Sequence, residues 1–352
     1  MTVQEVLEAI RPVDEAARAA ALKRLNDMAK PLGSLGVLEE DLVRLAGIQG
    51  TPRVDISRRC VAVFCADNGV VAQGVTQCGQ EVTAVVTENL SKGDTTVCAM
   101  SRRAGCEVLP VDIGVARPVT GEKILQKCVR RGTADMTQEP AMTRAECEQA
   151  LLVGVEVARL CKERGFRLLA TGEMGIGNTT TSSAVAAVLL GAPVAEMTGR
   201  GAGLSSEGLA RKIAAIETAI ALHRPDPADP IDVVSKVGGL DIAGMAGLCL
   251  GGALYHIPVL LDGFISTAAA LAAVRLCPLC GDYLLASHVS AEPAGQRMIA
   301  ALGLHPLIQA GMRLGEGTGA VAAMPLLDLM LSAYEEMVAF DDIGVDHYQP
   351  LT

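Results

Sequence analysis

Aromatic side chains are scarce in this sequence. It has no tryptophan, and its 352 residues include only four phenylalanines and four tyrosines. Half of the residues are nevertheless hydrophobic, so the core must consist of Ala, Val, Leu, Ile and Met, with 37 glycines that allow close packing. This composition favours a layered α/β architecture over a β-sandwich or a repeat array. The length suits one large α/β domain or two smaller ones.

Basic runs and uninterrupted apolar segments are also missing. The net charge is −10, so nucleic acid is not an expected partner. The N-terminus is polar and acidic, unlike a signal peptide. The longest apolar stretch, from Met245 to Leu261, contains glycines, His256 and Pro258, and it predicts a buried helix followed by a strand, not a membrane span. We therefore expect a cytoplasmic protein that binds neither nucleic acid nor membrane.

The cysteines do not form a metal-binding pattern. Eleven cysteines without a secretion signal indicate a reducing compartment. The one Cys-x-x-Cys pair, Cys277 and Cys280, has neither a second pair nor a nearby histidine at zinc spacing. Cys60, Cys65, Cys106 and Cys249 lie in apolar segments and are predicted to be small core residues. We expect no metal and no cofactor.

The most informative stretch runs from Gly172 to Ala184, between a short apolar strand and an apolar helix. Its glycines let backbone N–H groups approach a ligand, and the helix dipole favours negative charge. The glycine spacing is not that of a dinucleotide-binding loop, and no Walker Gly-Lys-Ser/Thr ends it. The pattern predicts an anion site, and the alternative is a tight turn with a Thr/Ser cap. Glu173 is unusual here, because a carboxylate beside an anion site suggests sugar binding or chemistry.

Three other polar residues are candidates for the site. Asp67 follows an apolar strand, at the sheet edge where α/β proteins bind ligands, although it could equally be a turn residue. Glu316 lies between two glycines at a helix start, where it could act as a base or complement the helix dipole. Lys212 lies on a predicted helix, where a lone lysine is usually a surface charge. The strand–helix alternation predicts a parallel, doubly wound sheet.

Seven co-linear motifs extend this pattern across nearly the whole chain. By these motifs the sequence resembles the nicotinate-nucleotide:5,6-dimethylbenzimidazole phosphoribosyltransferase (CobT) family of cobalamin lower-ligand assembly. The motifs are Lys30-Pro-Leu-Gly-Ser-Leu-Gly36, Gln80-Glu-Val-Thr83, Gly172-Glu-Met-Gly-Ile-Gly-Asn-Thr-Thr180, Gly238-Gly-Leu-Asp241, Asp262-Gly-Phe264, Ser287-His-Val-Ser-Ala-Glu-Pro293 and Leu314-Gly-Glu-Gly-Thr-Gly319.

The resemblance implies a reaction and an architecture. The phosphoribosyl group of nicotinate mononucleotide would pass to an aromatic base with inversion, giving an α-riboside 5′-phosphate and nicotinate. Residues 51–324 would form a doubly wound α/β catalytic domain, and residues 1–50 with 325–352 a small helical domain. The implied assembly is a homodimer, with a heterodimer of paralogues as the alternative. A non-catalytic partner subunit is the alternative function.

The resemblance also assigns roles to individual residues. Glu316 corresponds to the general base, and Lys212 becomes a phosphate ligand. The remaining predicted substrate-binding residues are Glu173, Gly175, Gly177, Asn178, Thr179, Thr180, Gly263, Phe264, Ser266, Ser290, Asp67 and Gln80. Two segments depart from the family pattern, Ala66-Asp-Asn-Gly69 and Thr76-Gln-Cys-Gly79. Both are expected to line the acceptor pocket, which leaves a benzimidazole, a purine and a phenol as candidate acceptors.

Overall fold

A computed structural model describes residues 1–348, which form a seven-stranded sheet flanked by helices. Every neighbouring pair of strands is parallel, and the spatial order is β3-β2-β1-β4-β5-β6-β7. The predicted parallel, doubly wound sheet is therefore confirmed. The strands are β1 (Arg59–Ala66), β2 (Cys106–Gly114), β3 (Leu125–Gln126), β4 (Leu168–Met174), β5 (Val259–Leu261), β6 (Leu284–His288) and β7 (Pro306–Ile308).

Fifteen α-helices lie in the described part of the chain, together with short 3₁₀ helices at Gly69–Gln73 and Pro278–Tyr283. None of them, within residues 1–348, combines the length and the apolar character needed to cross a bilayer. The helices are α1 (Val3–Ala9), α2 (Glu15–Asp27), α3 (Val37–Gln49), α4 (Glu81–Lys92), α5 (Thr96–Ala104), α6 (Arg144–Glu163), α7 (Asn178–Leu190), α8 (Val194–Met197), α9 (Ser206–His223), α10 (Pro230–Val237), α11 (Leu240–Tyr255), α12 (Phe264–Leu276), α13 (Gly295–Ala301), α14 (Thr318–Glu336) and α15 (Phe340–Ile343).

Side-chain caps define several helix starts. Thr2 with Glu5 forms a capping box at α1, and Thr143 with Glu146 forms another at α6. Helix α2 begins after Asp14, whose side chain accepts a hydrogen bond from the Ala17 N–H. Helix α3 follows Gly36, and no side chain caps its first turn. The sequence pattern does not predict the short elements α10, α13 and β7.

Small residues bring the central layers close together. Strand β1 is buried at every position, and helix α11 is buried from Leu240 to Ala253. Helix α6 packs on α11 so closely that a Cβ atom at Gly247 would overlap the Leu151 carbonyl oxygen. Backbone-to-backbone packing of this kind fills the core without large aromatic side chains. Of the four predicted core cysteines, Cys106 is the one that is not fully buried.

The two chain ends meet. Met28 pairs with Ala339 in an isolated antiparallel bridge, and Arg24 Nη2 donates to the Met337 carbonyl at 2.7 Å. Helix α3 also packs on α14, so the N-terminal helices and the C-terminal segment contact each other. The division into domains at residues 1–50 with 325–352 and 51–324 stays a proposal, and residues 349–352 lie outside the described part of the chain.

The strand order places a switch point beside β1. The chain builds the sheet outwards through β2 and β3, and it then returns to the other side of β1 to form β4. Helical connections leave on opposite faces at such a point, so a crevice opens outside the carboxyl ends of the strands. Ligand binding is therefore expected at the carboxyl edge, near the ends of β1 and β4.

We predict that Gly247→Ala lowers the free energy of unfolding by about 1–3 kcal/mol, because the added methyl group forces α6 and α11 apart. Urea unfolding followed by circular dichroism measures this loss. Gly281→Ala is the matched control, since a Cβ atom there would meet its nearest neighbour at an ordinary 3.7 Å. Equal stability of the two variants would contradict this account of helix packing.

Candidate active site

A cavity of about 280 Å³ opens at the carboxyl edge of the sheet. Its walls come from the segments that follow β4, β5 and β6, and from two loops that cross the edge, residues 75–78 and 200–204. The turn that contains Glu316 closes one side. The cavity therefore lies where the strand order predicts a ligand site.

Ten of the fourteen predicted site residues line this cavity. The structure thus brings the glycine-rich turn after β4 and the Glu316 turn to the same enclosed space. The ten are Glu173, Gly175, Gly177, Asn178, Thr179, Gly263, Phe264, Ser266, Ser290 and Glu316.

The Glu316 turn has an unusual backbone. Gly315, Glu316 and Gly317 all have positive φ, at 87°, 61° and 92°. Glutamate rarely adopts this left-handed conformation, which costs about 1–3 kcal/mol and persists where the surroundings impose it. At Gly172 on β4, a Cβ atom would come 2.7 Å from the Glu316 carbonyl oxygen. The absence of a side chain at Gly172 therefore lets this turn press against the sheet.

The Glu316 carboxylate is half-buried. Its Oε2 atom accepts a hydrogen bond of 3.3 Å from the backbone N–H of Val97, in the first turn of α5. Burial raises the pKa of Glu316, the Val97 N–H acts in the opposite direction, and the charge of Asp262 adds to the rise. A carboxylate with a raised pKa is a better proton acceptor than a free one.

Glu173 shares the Asn178 side chain with a second buried acid. Asn178 Nδ2 donates both to Glu173 Oε2 and, at 3.1 Å, to Asp241 Oδ2. Burial, with the Asp241 charge as the next cause, raises the pKa of Glu173 to about 8, and burial raises the pKa of Asp241 to about 6. Glu173 therefore carries a proton at neutral pH and can donate a hydrogen bond to a ligand.

Lys212 is buried behind the wall of the cavity. Its Nζ atom donates to Thr179 Oγ1 at 2.8 Å and to the Gly199 carbonyl at 3.2 Å. Burial lowers the pKa of Lys212 to about 8, although the charge of Glu292 opposes this effect. The usual role of a lone helix lysine as a solvated surface charge does not apply here, because Lys212 is fully buried.

Three further predicted residues do not reach the cavity. Asp67 Oδ2 accepts from the Ala116 N–H at 2.7 Å, which holds the loop after β2. Gln80 Nε2 donates to the Asn68 carbonyl at 3.1 Å, and Thr180 is buried in the first turn of α7. In this geometry Asp67 and Gln80 hydrogen-bond to backbone groups outside the cavity, and their role in substrate binding stays a prediction. A residue at a strand end or a helix start has the same sequence pattern whether or not its side chain faces the cavity, so the pattern alone could not separate these cases.

Sequence reasoning missed Asp262 as a member of the site. Its buried carboxylate accepts hydrogen bonds from the N–H groups of Gly317, Gly319 and Ala320 at the start of α14. The available signal was an aspartate directly after a buried strand, the same signal that makes Asp67 a candidate. His288 was also missed, although it lines the cavity.

The residues at this edge suit an anionic ligand better than a metal ion. In the part of the chain that the structure describes, no group of three or more His, Cys, Asp or Glu side chains is arranged to hold a metal. The buried lysine, the N-terminus of α7 and Arg200 instead surround one end of the cavity with positive charge and N–H donors. Two half-buried carboxylates also line the cavity: Glu316, and Glu292, whose charge acts on Lys212.

The fold and this site define a class, the α/β enzymes that bind a phosphorylated sugar at the carboxyl edge of a parallel sheet. A family model described as phosphoribosyltransferase matches residues 10–345. Because the match covers most of the chain, the protein is of the phosphoribosyltransferase class.

Relatives named "Nicotinate-nucleotide--dimethylbenzimidazole phosphoribosyltransferase" narrow the class. The one from Ruminiclostridium cellulolyticum is 46% identical over 351 residues and the full length of both chains, and that from Acetivibrio thermocellus is 48% identical over 328 residues, 93% of each. The crystal structure of CobT from Thermus thermophilus superimposes with a TM-score of 0.90 at 42% identity, covering 95% of this chain and 100% of that one. The chain belongs to the nicotinate-nucleotide–dimethylbenzimidazole phosphoribosyltransferase (CobT) family.

We predict that Glu173→Gln stabilises the protein increasingly as the pH rises. The pKa of Glu173 is raised from 4.5 to about 8, so the unfolded chain ionises first and folding stability falls between these two values. Glutamine removes this dependence. The difference in thermal midpoint between Glu173→Gln and the wild type should therefore grow from about pH 5 to about pH 8.

The matched control is Glu139→Gln, since Glu139 is exposed. Its thermal midpoint should follow that of the wild type throughout this range. A constant difference between Glu173→Gln and the wild type would mean that Glu173 ionises normally in the folded protein.

Proposed function

We propose that this chain transfers the phosphoribosyl group of nicotinate mononucleotide to an aromatic nitrogen base. The products are nicotinate and an α-riboside 5′-phosphate, the lower-ligand precursor in cobamide assembly. The observation that carries the proposal is the cavity itself, where a phosphate-sized group of donors and the Glu316 carboxylate share one enclosed space. The names of the relatives support the same reaction.

The phosphate end of the nucleotide is assigned to the turn after β4. Gly177, Asn178 and Thr179 at the start of α7 line the cavity, and the N-terminus of a helix favours a bound anion. Lys212 Nζ is 2.8 Å from Thr179 Oγ1, so a small displacement brings its ammonium group to a bound phosphate. Binding of an anion offsets the burial of this lysine, which otherwise forms no ion pair within the described residues.

The chemical step needs one proton acceptor. The acceptor nitrogen attacks C1′, and the bond from C1′ to the pyridinium nitrogen breaks, so nicotinate leaves with the electron pair of that bond. A cationic leaving group needs no general acid. The N–H proton of the incoming base passes to Glu316, a step that general-base catalysis accelerates by about 10²–10⁴-fold. Alignment of the two substrates in the cavity supplies further acceleration.

The acceptor end of the cavity has apolar walls. Val75, Val86 and Leu314 line it, which suits a flat aromatic ring. Of the two segments that depart from the family pattern, Thr76–Gly79 reaches the cavity through its first three residues and Ala66–Gly69 does not reach it. The names of the relatives favour a benzimidazole as the acceptor, and we propose that residues 76–78 adjust the choice among bases. A homodimer, a heterodimer with a paralogue and a cytoplasmic location all stay predictions.

The test of this function is incubation of the purified chain with nicotinate mononucleotide and a panel of a benzimidazole, a purine and a phenol, with products identified by mass. We expect a benzimidazole α-riboside phosphate from the wild type. Glu316→Gln should lower the rate by about 10²–10⁴-fold, because glutamine cannot take the proton. Isothermal titration of nicotinate mononucleotide should show unchanged binding to this variant.

Two outcomes would overturn parts of this assignment. A Glu316→Gln variant that makes product at the wild-type rate would remove Glu316 as the base. Absence of product from any base, in a chain that is folded and binds nicotinate mononucleotide, would instead favour a non-catalytic partner subunit.

Lys212 gives a second prediction, about pH. Its pKa of about 8 means that the ammonium charge is present below this value and is lost as the pH rises through it. The KM for nicotinate mononucleotide should therefore rise above about pH 8 in the wild type. Lys212→Met should raise KM by about 10–10²-fold at neutral pH, the value of one charge-assisted hydrogen bond, and should abolish the further rise.

Lys123→Met is the control, since Lys123 is exposed and lies outside the cavity. Its KM should follow that of the wild type at each pH. A normal KM for Lys212→Met would show that Lys212 does not bind the phosphate.

A further inference from the structure

The turn that contains Glu316 is hydrogen-bonded to Asp262, the residue that follows strand β5. We propose that Asp262 is a positioning residue, whose carboxylate fixes the left-handed turn that directs the Glu316 side chain into the cavity. Asp262 follows the end of β5, and its side chain is 3% exposed. This inference rests on the proposed role of Glu316 as the base.

The contacts of Asp262 join two elements that are far apart in sequence. Oδ2 accepts a hydrogen bond of 3.1 Å from the Gly317 N–H, and Oδ1 accepts from the N–H groups of Gly319 at 2.7 Å and Ala320 at 3.2 Å. These are among the first N–H groups of α14, which have no partner within the helix. All three partners are N–H donors, so both carboxyl oxygens of Asp262 act as acceptors. The ionised carboxylate fits these partners, because it has no proton of its own to place.

Asp262 is itself tied to the sheet. Its backbone N–H donates to Thr171 Oγ1 on β4 at 3.0 Å. Gly172, the next residue on β4, packs against the Glu316 carbonyl. The turn is therefore held between β4 and the Asp262 carboxylate, which is the kind of surrounding structure that maintains a left-handed glutamate. Without the carboxylate, Glu316 loses the contact that selects this conformation.

The charge of Asp262 has a second effect on Glu316. The Glu316 carboxyl accepts from the N-terminal turn of α5. The charged side chains and the histidine that line the cavity with it are Glu173 from β4, Asp262 after β5, His288 from β6, Glu292 after β6, Arg200, and Arg313 on its own loop. Burial is the main cause of the raised pKa of Glu316, and Asp262 adds to it. Burial lowers the pKa of His288, and the charge of Asp262, whose Oδ1 lies 4.0 Å from His288 Nδ1, acts in the opposite direction.

The test compares Asp262→Asn with the wild type. An amide keeps the shape of the side chain but cannot accept hydrogen bonds at both oxygen positions, so one edge of the turn is released. We expect kcat to fall by about 10²-fold, the cost of a base displaced by about 1 Å. The KM for nicotinate mononucleotide should change little, because the donors around Thr179 and Lys212 do not contact Asp262.

The pH profile separates positioning from general damage. Loss of the Asp262 charge lowers the pKa of Glu316, so the acidic limb of the kcat profile should move to lower pH in Asp262→Asn. A purely structural loss would reduce kcat at every pH without moving this limb.

Asp112→Asn is the matched control. Asp112 is also fully buried near a strand end, where it accepts from the Val115 N–H at 3.0 Å and from Arg131 at 2.8 Å, and it lies outside the cavity. Its kcat and pH profile should remain those of the wild type. If Asp262→Asn does not fold, Thr171→Val provides the second measurement, since it removes the acceptor for the Asp262 N–H and keeps the charge. It should lower kcat without moving the acidic limb, since the charge remains, and it should leave the KM for nicotinate mononucleotide at the wild-type value, which general damage to the site would not.

The outcomes distinguish this inference from the proposed function. Wild-type kcat in both Asp262→Asn and Thr171→Val would overturn the positioning role and leave Glu316 as the base. Equal losses in Asp262→Asn and Asp112→Asn, with the acidic limb unmoved, would also overturn it. Full activity of Glu316→Gln would instead overturn the proposed function.

Discussion

The site depends on the close approach of one turn to one strand. The backbone of Glu316 packs directly on Gly172, at the middle of the sheet's carboxyl edge, and a side chain at Gly172 would leave no room for the Glu316 carbonyl. The carboxylate of Asp262 holds the same turn from the other side. These contacts place a glutamate with positive φ opposite the turn after β4. The cavity between the two turns exists because a residue from the C-terminal third of the chain reaches the centre of the sheet.

This packing also buries several ionisable groups. Glu173 and Asp241 are removed from water with one amide between them, and Lys212 is removed with a hydroxyl and a carbonyl oxygen as its partners. Each therefore shifts its pKa towards the neutral form. Ionisable groups with shifted pKa values cluster at functional sites, and under the proposed function a bound phosphate and sugar hydroxyls would supply further partners for these three groups.

Much of the fold could be predicted from pattern, because it depends on local periodicity. The all-apolar run at β1 and the long glycine-interrupted run at α11 and β5 predicted a central strand and a buried helix, and both are present. Short elements such as β7 were not predicted, because three residues carry too little periodicity to identify a strand. The start of α3 carries no capping side chain that would mark it in the sequence, because this helix begins from a glycine with positive φ.

The sequence by itself determined the class of fold and the glycine-rich turn after β4, since both rest on residues that are neighbours in the chain, and the resemblance of its motifs predicted Glu316 as the base. Only the tertiary structure decided which strand-end acids face the cavity: Asp262 does and Asp67 does not, although both follow a buried strand. It likewise decided that Lys212 is buried beside Thr179. The physical reason is that side-chain direction and burial are set by what packs against a residue, and those partners lie far away in sequence.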